Sequence, residues 1–142
     1  VYIGTPHSSS EVHKKVISEL GDDARDDPRL SRLREMAGEG KAALYGGDFE
    51  RFGWCMNENT EAQRRLHPQL VCREFEEIIS MAREFGALGC KMNGAGGDGG
   101  SLAILTNGEM AGKRKLLQAL QDQGYTPLPV YLSRMGLRVW EG

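Results

Sequence analysis

The sequence predicts an α+β fold in which helices pack on one face of a mainly antiparallel sheet. Three observations point there. Four helix-patterned segments follow one another over residues 8–85. Two apolar strand-like runs, residues 87–92 and 102–105, then flank a glycine-rich stretch. Further strand-like runs stand at both ends of the chain, where they offer the sheet additional partners. Segregated helices and strands build a two-layer domain around one core, and 142 residues suffice for a single such domain.

The elements follow in chain order. Residues 1–3 read as a short strand, and Gly4-Thr5-Pro6-His7 as the turn that leaves it. Ser8 with Glu11 forms a capping box that starts a first helix. Val12, Val16, Ile17 and Leu20 give it an apolar face, and Gly21 ends it. An acidic loop leads to Pro28, which suits the first turn of a second helix carrying Leu30, Leu33, Ala37 and Leu44. Gly46-Gly47 breaks that helix and Asp48 caps the third. There Phe49, Phe52, Met56 and Leu66 fall near one stripe, interrupted by Asn59, Thr60 and Gln63. His67-Pro68 marks the next boundary. Val71, Phe75, Ile78, Ile79, Ala82 and Phe85 form the clearest amphipathic pattern in the chain, stopped by Gly86. After the two strands, Asn107-Gly108 turns into a helix with Leu116, Leu117 and Leu120 inward and Gly124 as its stop. Residues 128–132 and 137–140 read as a final hairpin around Arg134-Met135-Gly136, with Pro129 confined to an edge or a strand start. Trp54 and Trp140 read as core or interdomain packing rather than a stacking platform.

Composition excludes several classes of function. A net charge of -2 leaves no basic footprint for nucleic acid. Hydrophobic residues make up 39% of the chain, yet no run approaches the roughly 18 apolar residues of a membrane span. The first four residues lack the pattern of a signal peptide. Cys55, Cys72 and Cys90 are odd in number and show no CxxC spacing, which favours reduced core thiols and a cytoplasmic setting. His7, His13 and His67 show no metal-ligand spacing with one another or with the cysteines; they read as surface or capping residues. A strand-like Val-Tyr-Ile start with no leading segment suggests a cut through a longer chain.

The residues that carry chemistry lie in Gly89-Cys90-Lys91-Met92-Asn93-Gly94-Ala95-Gly96-Gly97-Asp98-Gly99-Gly100-Ser101. Glycine gives up side-chain packing and conformational entropy, so this density requires positive φ angles or a backbone that another group must approach closely. Consecutive backbone N–H groups in such a loop form an anion-binding nest. The loop is longer than the two to five residues of a simple hairpin. Gly94-x-Gly96-x-x-Gly99 satisfies GxGxxG, but a strand rather than a helix follows, and no Gly-Lys-Ser/Thr is present.

On these residues the chain resembles the GHMP kinases, the galactokinase, homoserine, mevalonate and phosphomevalonate kinase superfamily. Gly89-x-Lys91-x-x-Gly94-Ala95-Gly96-Gly97-x-Gly99-Gly100 is similar to their third signature motif. Met56-Asn57-Glu58-Asn59 with the following arginines and His67-Pro68-x-Leu70 is similar to their mid-domain helix pair, and the strand, turn and Ser8-Ser9-Ser10 helix start resembles the opening of the C-terminal domain in sugar-kinase members.

The resemblance implies a ferredoxin-like C-terminal domain of a sugar or sugar-phosphate kinase using ATP and Mg²⁺. It implies that Gly94, Ala95, Gly96, Gly97, Asp98, Gly99 and Gly100 sit near the nucleotide phosphates. Asn93, Thr5, His7, Ser8 and Asn57 become candidates for substrate contact. Capping explains Ser8 equally, and a solvated helix face with a Glu61–Arg65 pair explains the region of Asn57. The family's nucleotide loop and catalytic aspartate belong to an N-terminal lobe that has no equivalent here, so no catalytic residue and no metal ligand is assigned. The fragment alone is expected to be inactive and to hold no cofactor tightly. Asp98 stands where glycine is common; a carboxylate beside triphosphate needs a cation between them, or else it faces solvent, caps a turn or pairs with Lys91. A stand-alone ferredoxin-like binding or regulatory domain and an ATP-dependent decarboxylase relative are the rival readings.

Overall fold

A computed structural model of the chain describes residues 1–3, 9–21, 27–94, 99–131, 136, 139 and 140. The helices are α1 (Ser9–Leu20), α2 (Pro28–Gly46), α3 (Phe49–Leu66), α4 (Arg73–Glu84) and α5 (Met110–Asp122). Strands β1 (Ala87–Asn93) and β2 (Ser101–Thr106) lie between α4 and α5, and a 3₁₀ turn, Pro68–Leu70, joins α3 to α4. No helix among the described residues is long and apolar enough to cross a membrane.

Local chemistry explains the helix ends. Asp27 accepts a hydrogen bond from the Arg29 amide at 2.8 Å, ahead of Pro28 in the first turn of α2. Gly47, in the left-handed region at φ 70°, closes that helix. Asp48 then caps α3 by accepting from the Arg51 amide at 2.8 Å, as its position after the glycine pair predicts. The first arginine of the α3 stretch to pair with Glu61 is Arg64, one turn away, rather than Arg65. His67 is buried, and its Nδ1 accepts from the Gln69 amide at 3.1 Å to cap the 3₁₀ turn.

β1 and β2 pair antiparallel in the register Asn93↔Ser101, Met92↔Leu102, Cys90↔Ile104. An irregularity at Leu88 shifts the register between Ala87 and Gly89. Residues 1–3 continue the sheet beyond β2: Val1 exchanges backbone hydrogen bonds with Leu102, both at 2.8 Å, and the Ile3 amide donates to Gly100 O. On its far side Tyr2 exchanges two bonds with Thr126. The order across the sheet is thus β1, β2, residues 1–3, Thr126, with antiparallel neighbours throughout. This agrees with the α+β architecture expected from the sequence.

The period-2 pattern of the strands selects the core face. Cys90, Met92 and Leu102 point into a cluster with Phe75, Ile78, Ile79 and Ala82 of α4, Leu116 and Leu120 of α5 and Val16 of α1. Phe75, Ile78 and Met92 are fully buried.

Four expectations change. Ile17 is 67% exposed, so α1 presents Val12, Val16 and Leu20, spaced by one turn each, and not Ile17. Leu44 and Phe49 lie at the outer end of the α2–α3 pair and are exposed. The predicted final hairpin is not formed over residues 128–131, which carry no strand; residues 132–135, 137 and 138 lie outside the described residues. Pro127 and Pro129 each lack an N–H, so only Thr126 before them joins the sheet. Neither tryptophan is in the core: Trp140 is 80% exposed, and Trp54 stacks under the Arg51 guanidinium, 4.0 Å from the ring centroid, with Arg32 at 5.6 Å.

Candidate functional site

The glycine-rich loop connects β1 to β2, and its neck is held from three sides. Across the neck, Asn93 Nδ2 donates to Ser101 Oγ at 3.1 Å, clasping the last pair of the β-ladder. Gly94 has φ 72° and Gly100 φ 106°, so the chain leaves and rejoins the sheet through conformations that favour glycine. Gly99 is buried, whereas Gly94 is exposed and a Cβ there would meet nothing within 4 Å. Among the described residues, the loop therefore opens with exposed backbone that no side chain covers at the Gly94 Cα. Beside the exit, the Ile3 amide donates to Gly100 O at 3.2 Å, which brings the N-terminal strand against the loop. Ala95, Gly96, Gly97 and Asp98 lie outside the described residues, as do Thr5, His7 and Ser8.

α3 is what fixes β1 from its open side. Both backbone groups of Cys90 bond to α3: its amide donates to Asn57 Oδ1 at 3.0 Å, and its carbonyl accepts from Thr60 Oγ1 at 2.9 Å. Asn57 Nδ2 also donates to Leu88 O at 3.1 Å. These groups point away from β2, so α3 lies along the sheet edge and satisfies it with side chains. The backbones meet at two glycines. A Cβ on Gly53 would stand 2.7 Å from Leu88 O, and one on Gly89 would stand 2.3 Å from Gly53 O. Asn57, a candidate for substrate contact, thus acts at the Leu88–Cys90 end of β1, away from the loop neck.

At the neck itself Lys91 donates to Gln63 Oε1 at 2.9 Å and to Met92 O, while Gln63 Nε2 reaches Gly94 O at 3.4 Å. Burial pushes the Lys91 ammonium below its ordinary pKa. Its side chain also borders an open groove of about 780 Å³ between α2 and α3, lined by Met36, Gly40, Phe52, Met56 and Asn59. The Cys90 thiol is pushed up to about 11 by burial, which keeps it protonated and inert. Among the described residues no cluster of three His, Cys, Asp or Glu side chains is arranged to hold a metal.

The sequence singled out the loop but not the Gly53–Gly89 contact or the Gln63–Lys91 pair. The signal available was a glycine in the middle of α3, where glycine weakens a helix and needs a packing reason, together with polar residues at three-residue spacing on one stripe.

Residues 41–126 match the family model described as GHMP kinases C terminal. The chain belongs to the GHMP kinase C-terminal family. It is 31% identical to a mevalonate kinase of Thermococcus sibiricus over 144 aligned residues, covering 97% of this chain and 41% of that protein. It is 30% identical to a galactokinase of Thermococcus kodakarensis over 107 residues, covering 74% of this chain and 28% of the relative. The fold superimposes on the crystal structure of L. major mevalonate kinase in complex with R-mevalonate with a TM-score of 0.69 and 27% identity, over 87% of this chain and 37% of that one. This GHMP domain thus spans well under half the length of these relatives. Most of the relatives found are mevalonate kinases, which narrows the support for a sugar-kinase assignment.

Proposed function

We propose that this domain serves an ATP-dependent kinase that phosphorylates a small-molecule alcohol, with the loop of residues 94–100 facing the nucleotide phosphates. The observation that carries the reading is the loop neck: exposed glycine backbone at Gly94, flanked by β1, β2 and the N-terminal strand, inside a match to the kinase family. Such a loop suits close approach by phosphate oxygens, which backbone N–H groups bind without a side chain between. The phosphoryl-transfer chemistry belongs to ATP and its Mg²⁺ when bound. This chain's part is to orient: positioning and charge stabilisation supply most of the catalysis in such reactions. An N-terminal lobe supplies the other wall of the cleft and the catalytic base.

Mevalonate is the first acceptor to test, because mevalonate kinases predominate among the relatives. A sugar is the second, favoured by the galactokinase relative and by the serine-rich start of α1. The test is ADP release by the complete kinase polypeptide carrying this chain, with R-mevalonate and a panel of sugars. ADP release with carbon dioxide evolution instead identifies the decarboxylase alternative. Gly96→Val in that protein is expected to lower turnover about a hundredfold with folding retained, since it blocks close approach. Unchanged turnover would show that the loop is only a turn. By calorimetry the 142-residue chain alone is expected to bind Mg-ATP more weakly than micromolar.

A further inference from the structure

We propose that Lys91 and Gln63 form a positioning pair that sets the loop at its Gly94 end. The inference rests on the reading that this loop faces phosphates. Its physical basis is the row of β1 carbonyls that point away from β2. Leu88 O accepts from Asn57 and Cys90 O from Thr60, in the body of the seam. Met92 O accepts from Lys91 and Gly94 O from Gln63, at the loop itself. Lys91 and Gln63 are bonded to each other at 2.9 Å, so the last two carbonyls are held by one joined unit.

The pair differs from an exposed ion pair in two ways. Lys91 is desolvated, and a desolvated ammonium is held to the partners it has. Gln63 uses both ends of its amide, accepting from Lys91 with one and donating to Gly94 O with the other. Removing either residue releases the ammonium or the amide, and with it the backbone just before the glycines. The two substitutions should therefore act as one.

The complete kinase carrying Gln63→Leu, Lys91→Met or both tests this. Each single variant is expected to raise the KM for ATP about tenfold with kcat within threefold. The double variant is expected to stay within about twofold of either single. The thermal midpoint of Gln63→Leu should match the wild type. A KM unchanged in Gln63→Leu, or a double variant in which two tenfold effects multiply, overturns the proposal. Amide hydrogen exchange at Asn93, the last ladder residue before the loop, in the 142-residue chain supplies a readout that needs no activity. It should quicken about tenfold in Gln63→Leu, which frees the Gly94 carbonyl one residue on, with α4 amides unchanged as the control; unchanged exchange at Asn93 overturns the pinning. A wild-type kinase with no ATP turnover on any acceptor overturns the kinase reading instead, and the exchange rates still decide whether the pair holds the loop.

Discussion

β1 is gripped in two unlike ways. On its core face Cys90 and Met92 sink into a cluster of α4 and α5 side chains, where only volume and apolarity matter. On its open edge α3 meets it backbone to backbone at Gly53 and Gly89, and side-chain amides and a hydroxyl bond its free carbonyls and amide. The first contact is non-directional and holds the strand in the domain. The second is directional and fixes the register of the strand against α3 around Leu88–Cys90. The core thus supplies stability, and the edge supplies register.

Substitutions can break this contrast. Phe75→Ala, at a fully buried side chain of the core, is expected to cost about 3–5 kcal/mol of stability by urea unfolding; a loss under about 1 kcal/mol would mean that the core grip is not what holds the sheet. Gly89→Ala should cost about 1–3 kcal/mol although it adds a single methyl, because the clash is with Gly53 backbone rather than a movable side chain. Gly38→Ala is its control: the added Cβ meets nothing within 4 Å on α2, so stability should rise by up to about 1 kcal/mol. Equal effects at the two glycines would erase the distinction between seam and surface. Thr60→Val keeps the shape but leaves Cys90 O without its partner, an expected loss of about 1–2 kcal/mol.

A further effect is pH-dependent. Burial raises the Cys90 thiol from its ordinary 9.0 to about 11 in the folded state. A raised folded-state pKa adds stability that is present below pH 9 and declines as pH rises from about 9 through about 11, because only the unfolded chain ionises first. Urea midpoints across that window should fall more for the wild type than for Cys90→Ala. Parallel slopes would show that the thiol is not the titrating group.

Much of the fold was legible because its signals are local. The spacing of Phe75, Ile78, Ile79 and Ala82 specifies the buried face of α4, and Gly46-Gly47-Asp48 marks one helix end and the next helix start through backbone geometry alone. The first strand of the expected final hairpin is absent over residues 128–131 for an equally local reason: two prolines, at 127 and 129, outweigh the apolar residues between and after them. The loop stood out as a candidate site because glycine density is visible in composition. Its surroundings did not. Thr60 and Gln63 look like polar interruptions of a stripe, and Asn57 like part of a solvated helix face, until β1 lies beside them.

The sequence by itself determined the helices, the two strands, the glycine-rich connection and the kinase family, since each depends on residues close together in the chain. Only the tertiary structure decided that α3 covers the edge of β1, that Gly53 and Gly89 touch, and that Lys91 and Gln63 bond to each other and to the carbonyls of Met92 and Gly94. Those contacts join residues about thirty positions apart, and a hydrogen bond between a side chain and a distant carbonyl leaves no period, cap or spacing for a sequence to reveal.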